Sequence, residues 1–294
     1  MNSLTDSFLT ILFESFTESI EVSALVLLIM LLVELFNIST ISNYFNKIHG
    51  KPILEILLSC ALGAVPGCAG GFILVTMYSR NMLSLAALCA GMTATFGDEA
   101  IFLFTQNPKI AILLTTTLFI LGVAIGITLH IISPQKYSIK SNLSDDICLN
   151  HYNENLTLKD KIVHFAKEHL WNHIIKEHAL KIFLYIFLTL LTVGFLNLSV
   201  DIDSLLQNNS TALWLALLLA VSIGIMPISG PHLVFVVLFL QDSIPFSILL
   251  ANSISQNGHA GIPLVEHSKN TFFIIKIITA IFGFLVGSIG LLVV

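Results

Sequence analysis

The chain has 294 residues, of which 55% are hydrophobic and 11% charged, with a formal net charge of −5. Soluble domains carry about 25% charged residues, and a soluble core has no use for this much apolar sequence. Apolar runs at 22–36, 110–132 and 271–294 come near or exceed the ~20 residues that cross a bilayer. Lipid offers backbone groups no partner, so such spans must be helical. The alternating segments of about ten residues that build a β-barrel are absent. The expected fold class is therefore an all-α polytopic membrane protein.

Residues 1–21 have no basic n-region and no small-residue cleavage site, so they read as a retained segment rather than a signal peptide. Phe8, Ile11, Leu12 and Phe16 place a short amphipathic helix there, lying in the interface. A first membrane repeat, 22–132, opens with the span at 22–36 and a polar link carrying Lys47 and Lys51. Residues 52–79 are apolar but interrupted by Gly63, Pro66, Gly67, Gly70 and Gly71. They are too few for two spans, which predicts two half-helices around an irregular tip, a re-entrant hairpin. Residues 82–96 follow, broken at Gly97-Asp98-Glu99, and then the span at 110–132. The polar stretch 133–177 is expected to be a cytoplasmic linker with an amphipathic helix at 158–176. A second membrane repeat, 178–294, has a span at 178–196 and an interrupted pair at 211–240, broken at Gly224, Pro227, Gly230 and Pro231. A segment at 245–257 breaks at Gly258, and 271–294 closes the chain. Of the four cysteines, Cys60, Cys68 and Cys89 lie in apolar segments, and none, Cys148 included, has a paired spacing. That argues against a disulfide framework.

The punctuation of the two repeats shares one register. Gly63, Pro66, Gly97, Gly122 and Gly126 recur 161 residues later as Gly224, Pro227, Gly258, Gly283 and Gly287. Internal repeats of this kind build secondary transporters. Basic residues favour the cytoplasmic side. With the linker inside, Lys47, Lys51, Arg80, Lys269 and Lys276 also fall inside and only Lys109 falls outside. Each repeat then makes an odd number of crossings, so the two are inverted, both termini face outward, and the acidic loop at 201–210 faces outward as well.

Four groups of residues carry possible chemistry. The tips at 63–71 and 224–232 free backbone groups that survive in a membrane only around an enclosed cavity. Cys68, Ser229 and His232 add side-chain ligands there; packing kinks are the plainer reading. Asp98 and Glu99 form a carboxylate pair in apolar sequence, which marks an ion path or proton relay, and His259 is the register mate of Asp98. The alternative is a wet vestibule capping a helix. Asn252, Ser255, Gln256 and Asn257 make a polar face on an apolar helix, with Asn252 and Gln256 on one side at i,i+4. Their amide oxygens suit hard cations, and interhelical hydrogen bonding is the plainer account. Thr93 and Thr95 are the counterparts in the first repeat, and Glu266 with His267 stands at the cytoplasmic mouth. In the linker, His164, His169, His173 and His178 with Glu168 and Glu177 read foremost as a solvated helix face. The metal-ligating candidates are thus Asp98, Glu99, His232 and His259. Helix breaks are expected at Gly63, Pro66, Gly67, Gly97, Gly224, Pro227, Gly230 and Gly258. No phosphate loop, catalytic triad, redox motif or nucleic-acid patch occurs, so neither an enzyme nor a nucleic-acid partner is expected.

The motifs at 63–72, 97–102, 230–233 and 256–263 (Gly-Ala-Val-Pro-Gly-Cys-Ala-Gly-Gly-Phe, Gly-Asp-Glu-Ala-Ile-Phe, Gly-Pro-His-Leu and Gln-Asn-Gly-His-Ala-Gly-Ile-Pro) resemble those of the ten-transmembrane heavy-metal exporter family. Its members are labelled arsenic efflux proteins or manganese transporters. The resemblance covers nearly the whole chain and implies efflux of a metal or metalloid across a bacterial inner membrane. Read with the oxygen-rich residues, it points to a proton-coupled exporter of a divalent, manganese-like cation. The alternatives are an arsenite permease, for which Cys68 alone is a thin thiol set, and a channel without a transport cycle. No Lys or Arg is expected at midplane depth, which speaks against an anionic cargo. The cargo ion is the substrate and no permanently bound cofactor is expected. The partners are the lipid bilayer and the small inorganic ion, and a homodimer is compatible with the sequence.

Overall fold

The computed structural model describes residues 2–35, 51–67, 69–79, 82–132, 180–199, 210–227 and 230–293. The expected linker with its helix and histidines, the loop at 201–209, Cys68 and Ser229 lie outside the described residues. Among the described residues there are twelve α-helices, two 3-10 turns and no strand. The helices are α1 (Asn2–Leu35), α2 (Pro52–Gly63), α3 (Ala69–Ser79), α4 (Leu85–Ala94), α5 (Glu99–Gln106) and α6 (Pro108–Ile132). After the linker come α7 (Leu180–Ser199), α8 (Ser210–Gly224), α9 (Leu233–Leu240), α10 (Phe246–Ser255), α11 (Gly261–His267) and α12 (Lys269–Val293). The 3-10 turns, Gly230–His232 and Gly258–Ala260, precede α9 and α11.

The expected interfacial segment and first span form one helix rather than two. Residues 2–35 contain neither Gly nor Pro, so nothing interrupts the hydrogen-bond ladder. Ser15, Ser19 and Ser23, four residues apart, are buried on one face of α1, and α1 packs against α7. Small residues let helix backbones approach closely in lipid. Phe16 meets Phe183 and Phe187 edge-on at 5.7 and 6.0 Å.

The 161-residue register extends from punctuation to helix boundaries. Shifted by that amount, α4 becomes α10 and α6 becomes α12, end for end. The last residue of α2 becomes that of α8, and α3 becomes the stretch Gly230–Leu240 that the turn and α9 occupy. Gly97 and Gly258 both take positive φ, 74° and 52°. The helix crossings repeat too. A Cβ on Gly122 would lie 2.6 Å from Ala90 O, and one on Gly283 would lie 2.8 Å from Ala251 O. Ala251 is the register mate of Ala90.

The halves interlock at their second breaks. Beyond Gly97, the buried side chains of Ile101, Leu103, Leu114 and Leu118 join the core built by α8 to α10. Beyond Gly258, Ala260, Leu264, Phe272 and Ile275 join the core built by α2 to α4. Each chain segment thus leaves its own half's core for the other's at a glycine whose φ a side chain would strain.

Among the described residues two helices, α6 and α12, are long and apolar enough to cross a bilayer. On α12, Phe273, Ile277, Ile281, Leu285 and Ile289 form an exposed stripe at i,i+4 spacing. A continuous apolar face of this kind is what lipid covers.

Candidate functional site

The site forms where the α4–α5 break meets the α10–α11 break. The two positive-φ glycines face one another: a Cβ on Gly97 would lie 3.7 Å from Gly258 Cα. It would also lie 2.7 Å from Glu99 Oε2 and 3.8 Å from Gln256 Oε1. Glycine is required at 97 on both counts, backbone sign and space. Gly67, with φ of 95°, donates its N–H to Gly97 O at 3.1 Å. This bond ties the first tip to the second break, and Asp98 Oδ1 lies 4.0 Å from where a Gly67 Cβ would be.

Glu99, at the start of α5, is 2% exposed. Asp98, the Gln256 side chain and Glu99's own backbone N–H stand beside its carboxylate, none of the N–H groups in close, well-aligned hydrogen-bonding geometry. Burying a carboxylate without partners costs several kcal/mol unless a proton or cation completes it. Gln256 Nε2 donates across to Phe96 O at 2.7 Å and Asn257 Nδ2 to Met92 O at 3.1 Å. With its amide nitrogen so placed, Gln256 turns an unpartnered Oε1 toward the same region as Glu99. Asp98, Glu99 and Gln256 are therefore brought together, while Asn257 reaches α4 instead.

Other expected residues are placed differently. His232 is fully buried, and its two ring nitrogens lie 3.3 Å from Asn252 Nδ2 and 3.4 Å from Met226 O. Asn252 Nδ2 also donates to Ala220 O at 2.8 Å. This network joins the second tip to α8 and α10 rather than facing Glu99. The hydroxyls of Thr93, Thr95 and Ser255 donate to carbonyls four residues back, Cys89, Gly91 and Ala251, which spends them inside their own helices. Of His259 only the backbone, in the 3-10 turn, is described. Among the described residues no three His, Cys, Asp or Glu side chains converge into a metal-holding group.

Two buried ionic residues escaped the sequence reading. Glu55 is buried on α2 and accepts the Ser84 N–H, capping α4 from outside. Lys276, expected on the cytoplasmic side, is 2% exposed within α12. Its Nζ donates to Gly224 O at 2.9 Å and Ser255 O at 3.1 Å. A lysine eight residues into an apolar span is the signal that marks it.

Broken apolar helices, a lipid-facing stripe and a buried acidic site at the interrupted segments define a multi-pass α-helical membrane protein. The chain belongs to the family described as "Putative, 10TM heavy-metal exporter", whose sequence profile matches residues 3–214 and 182–293. No curated protein and no solved structure matches it.

Proposed function

We propose that this protein is a secondary transporter that exports a hard divalent cation, manganese-like in its chemistry, in exchange for protons. The observation that carries the reading is the convergence of Glu99's buried carboxylate with Gln256 Oε1 beside Asp98. Carboxylate and amide oxygens suit Mn²⁺ and its hard neighbours, which keep waters in their shell and need few protein ligands. Two adjacent carboxylates can trade one divalent cation for two protons without net charge. The interlocked repeats, inverted in the membrane, supply two arrangements around a fixed site, with the interrupted pairs at 52–79 and 211–240 as re-entrant hairpins. Lys276 does not invite an anion, because its amino group is already engaged by two carbonyls.

The test is flux of Mn²⁺ and of arsenite in proteoliposomes under an imposed proton gradient. Saturable Mn²⁺ flux that accelerates with an opposing proton gradient, and that Glu99→Gln abolishes, is the expected outcome. Undiminished Mn²⁺ flux in Glu99→Gln, or arsenite flux alone, would overturn it.

A further inference from the structure

Lys276 has a place in this site that its burial alone does not convey. Gly224 is the last residue of α8 and Ser255 the last of α10. Their carbonyls belong to the orphan acceptors of helix ends, at the negative pole of each helix. One amino group therefore bridges the ends of two helices at the points where both break. It reaches them from a third helix, with the Phe272 ring 5.9 Å away.

The bond to Ser255 O bears on what comes next in the chain. Gln256 and Asn257 follow directly, and their side chains cross to Phe96 O and Met92 O. The direction in which the chain leaves α10 sets whether those amides reach the first half. In the first half the register mate of Lys276 is Thr115, whose short side chain has no cation to offer. That half closes its break through the main chain, by the bond from Gly67 N to Gly97 O.

We propose that Lys276 is the positioning residue of the transport site: by holding the ends of α8 and α10 together it aims Gln256 and Asn257 across the interface and sets Gln256 Oε1 beside Glu99. This rests on the reading of Glu99 and Gln256 as cargo ligands given above. The test separates the two ideas. Met92→Cys with Asn257→Cys, in a background stripped of native cysteines, reports the crossing contact through the rate of cross-linking by a short thiol reagent. Adding Lys276→Met, which keeps the bulk and removes the donor, is expected to slow cross-linking about tenfold. In the otherwise native protein the same substitution raises KM for Mn²⁺ about tenfold while kcat stays within about twofold. A merely structural lysine would lower the yield of active protein without that split. Cross-linking and KM unchanged by Lys276→Met overturn the proposal. Where Lys276→Met does not fold, Lys276→Ala is assayed with and without n-propylammonium, which restores the missing atoms. Recovery of cross-linking supports positioning, and a folded variant that cross-links at the parent rate without the amine refutes it. A protein that moves no Mn²⁺ but whose cross-linking depends on Lys276 sinks the transport reading and leaves positioning standing.

Discussion

The two halves share a frame and divide the chemistry. At the second break the first half supplies Asp98 and Glu99, where the second has His259 and Ala260. One turn earlier the second half supplies Gln256 and Asn257, where the first has Thr95 and Phe96. Both amides of the second half reach into the first, and both land on main-chain carbonyls. Negative charge thus comes from one half and neutral reach from the other. A symmetric frame lets two matching breaks meet, while an asymmetric filling gives the meeting point a single binding polarity. The largest expected effect tests that division. Glu99→Gln is expected to cut Mn²⁺ flux at least roughly a hundredfold, since losing one member of a buried charge cluster costs ~3 kcal/mol or more. Ala260→Gln, at the register mate, then acts only through packing, and equal losses at the two positions would break the comparison.

The glycines at the breaks sharpen it. Gly97→Ala and Gly258→Ala both place a side chain at positive φ, and each is expected to lower stability by about 1–2 kcal/mol in thermal unfolding. At Gly97 the new Cβ would also press on Glu99 Oε2, at 2.7 Å. Flux per folded molecule is expected to fall much further in Gly97→Ala than in Gly258→Ala. The reverse order would place the cargo nearer the second half's break.

Much of this frame was legible in the sequence because helix ends are written in glycine and proline. Gly63, Gly97, Gly224 and Gly258 all mark real ends or turns. The continuity of α1 was less legible: Glu14, Glu18 and Glu21 look like the edge of a span, but charge does not stop a helix as Gly or Pro does. In the site, Gln256 and Asn257 stood out as amides in apolar sequence. Their targets, Phe96 O and Met92 O, carry no side-chain signature, so the pairing was invisible. His232 read as a ligand because a sequence does not show which neighbours claim its ring. Lys276 read as a flanking basic residue because its acceptors are also backbone.

Next in size is the contribution of neutral reach. Gln256→Ala removes one ligand oxygen and one hydrogen bond to Phe96 O, and is expected to raise KM for Mn²⁺ about fivefold to tenfold, the effect of about 1–1.4 kcal/mol. Thr95→Ala, at its register mate, removes a hydroxyl already spent on Gly91 O and leaves KM within about twofold. Concentration dependence of initial flux separates the two. A Thr95→Ala effect as large as that of Gln256→Ala would mean that both halves donate to the cargo.

The smallest expected effect decides between cargo classes. Cys60 and Cys89 are fully buried in the core of the first half, and a Cβ on Gly122 would lie 3.2 Å from Cys60 Sγ. Two buried thiols in one core invite a thiol-ligand reading, since a metalloid such as arsenite binds thiols. Their register mates argue otherwise. Val221 and Leu250 hold the same two places in the second half and are buried aliphatics there. A place that one half fills with Cys and the other with Val or Leu is a packing place, and free cysteine behaves as a small hydrophobe when buried. Cys60→Ala with Cys89→Ala is therefore expected to cost about 1 kcal/mol of stability per site through small cavities. Mn²⁺ KM and maximal flux should stay at the level of the unsubstituted protein. Flux that collapses in the double variant while its unfolding temperature holds would move the cargo from the oxygens at Glu99 to the thiols of the first-half core.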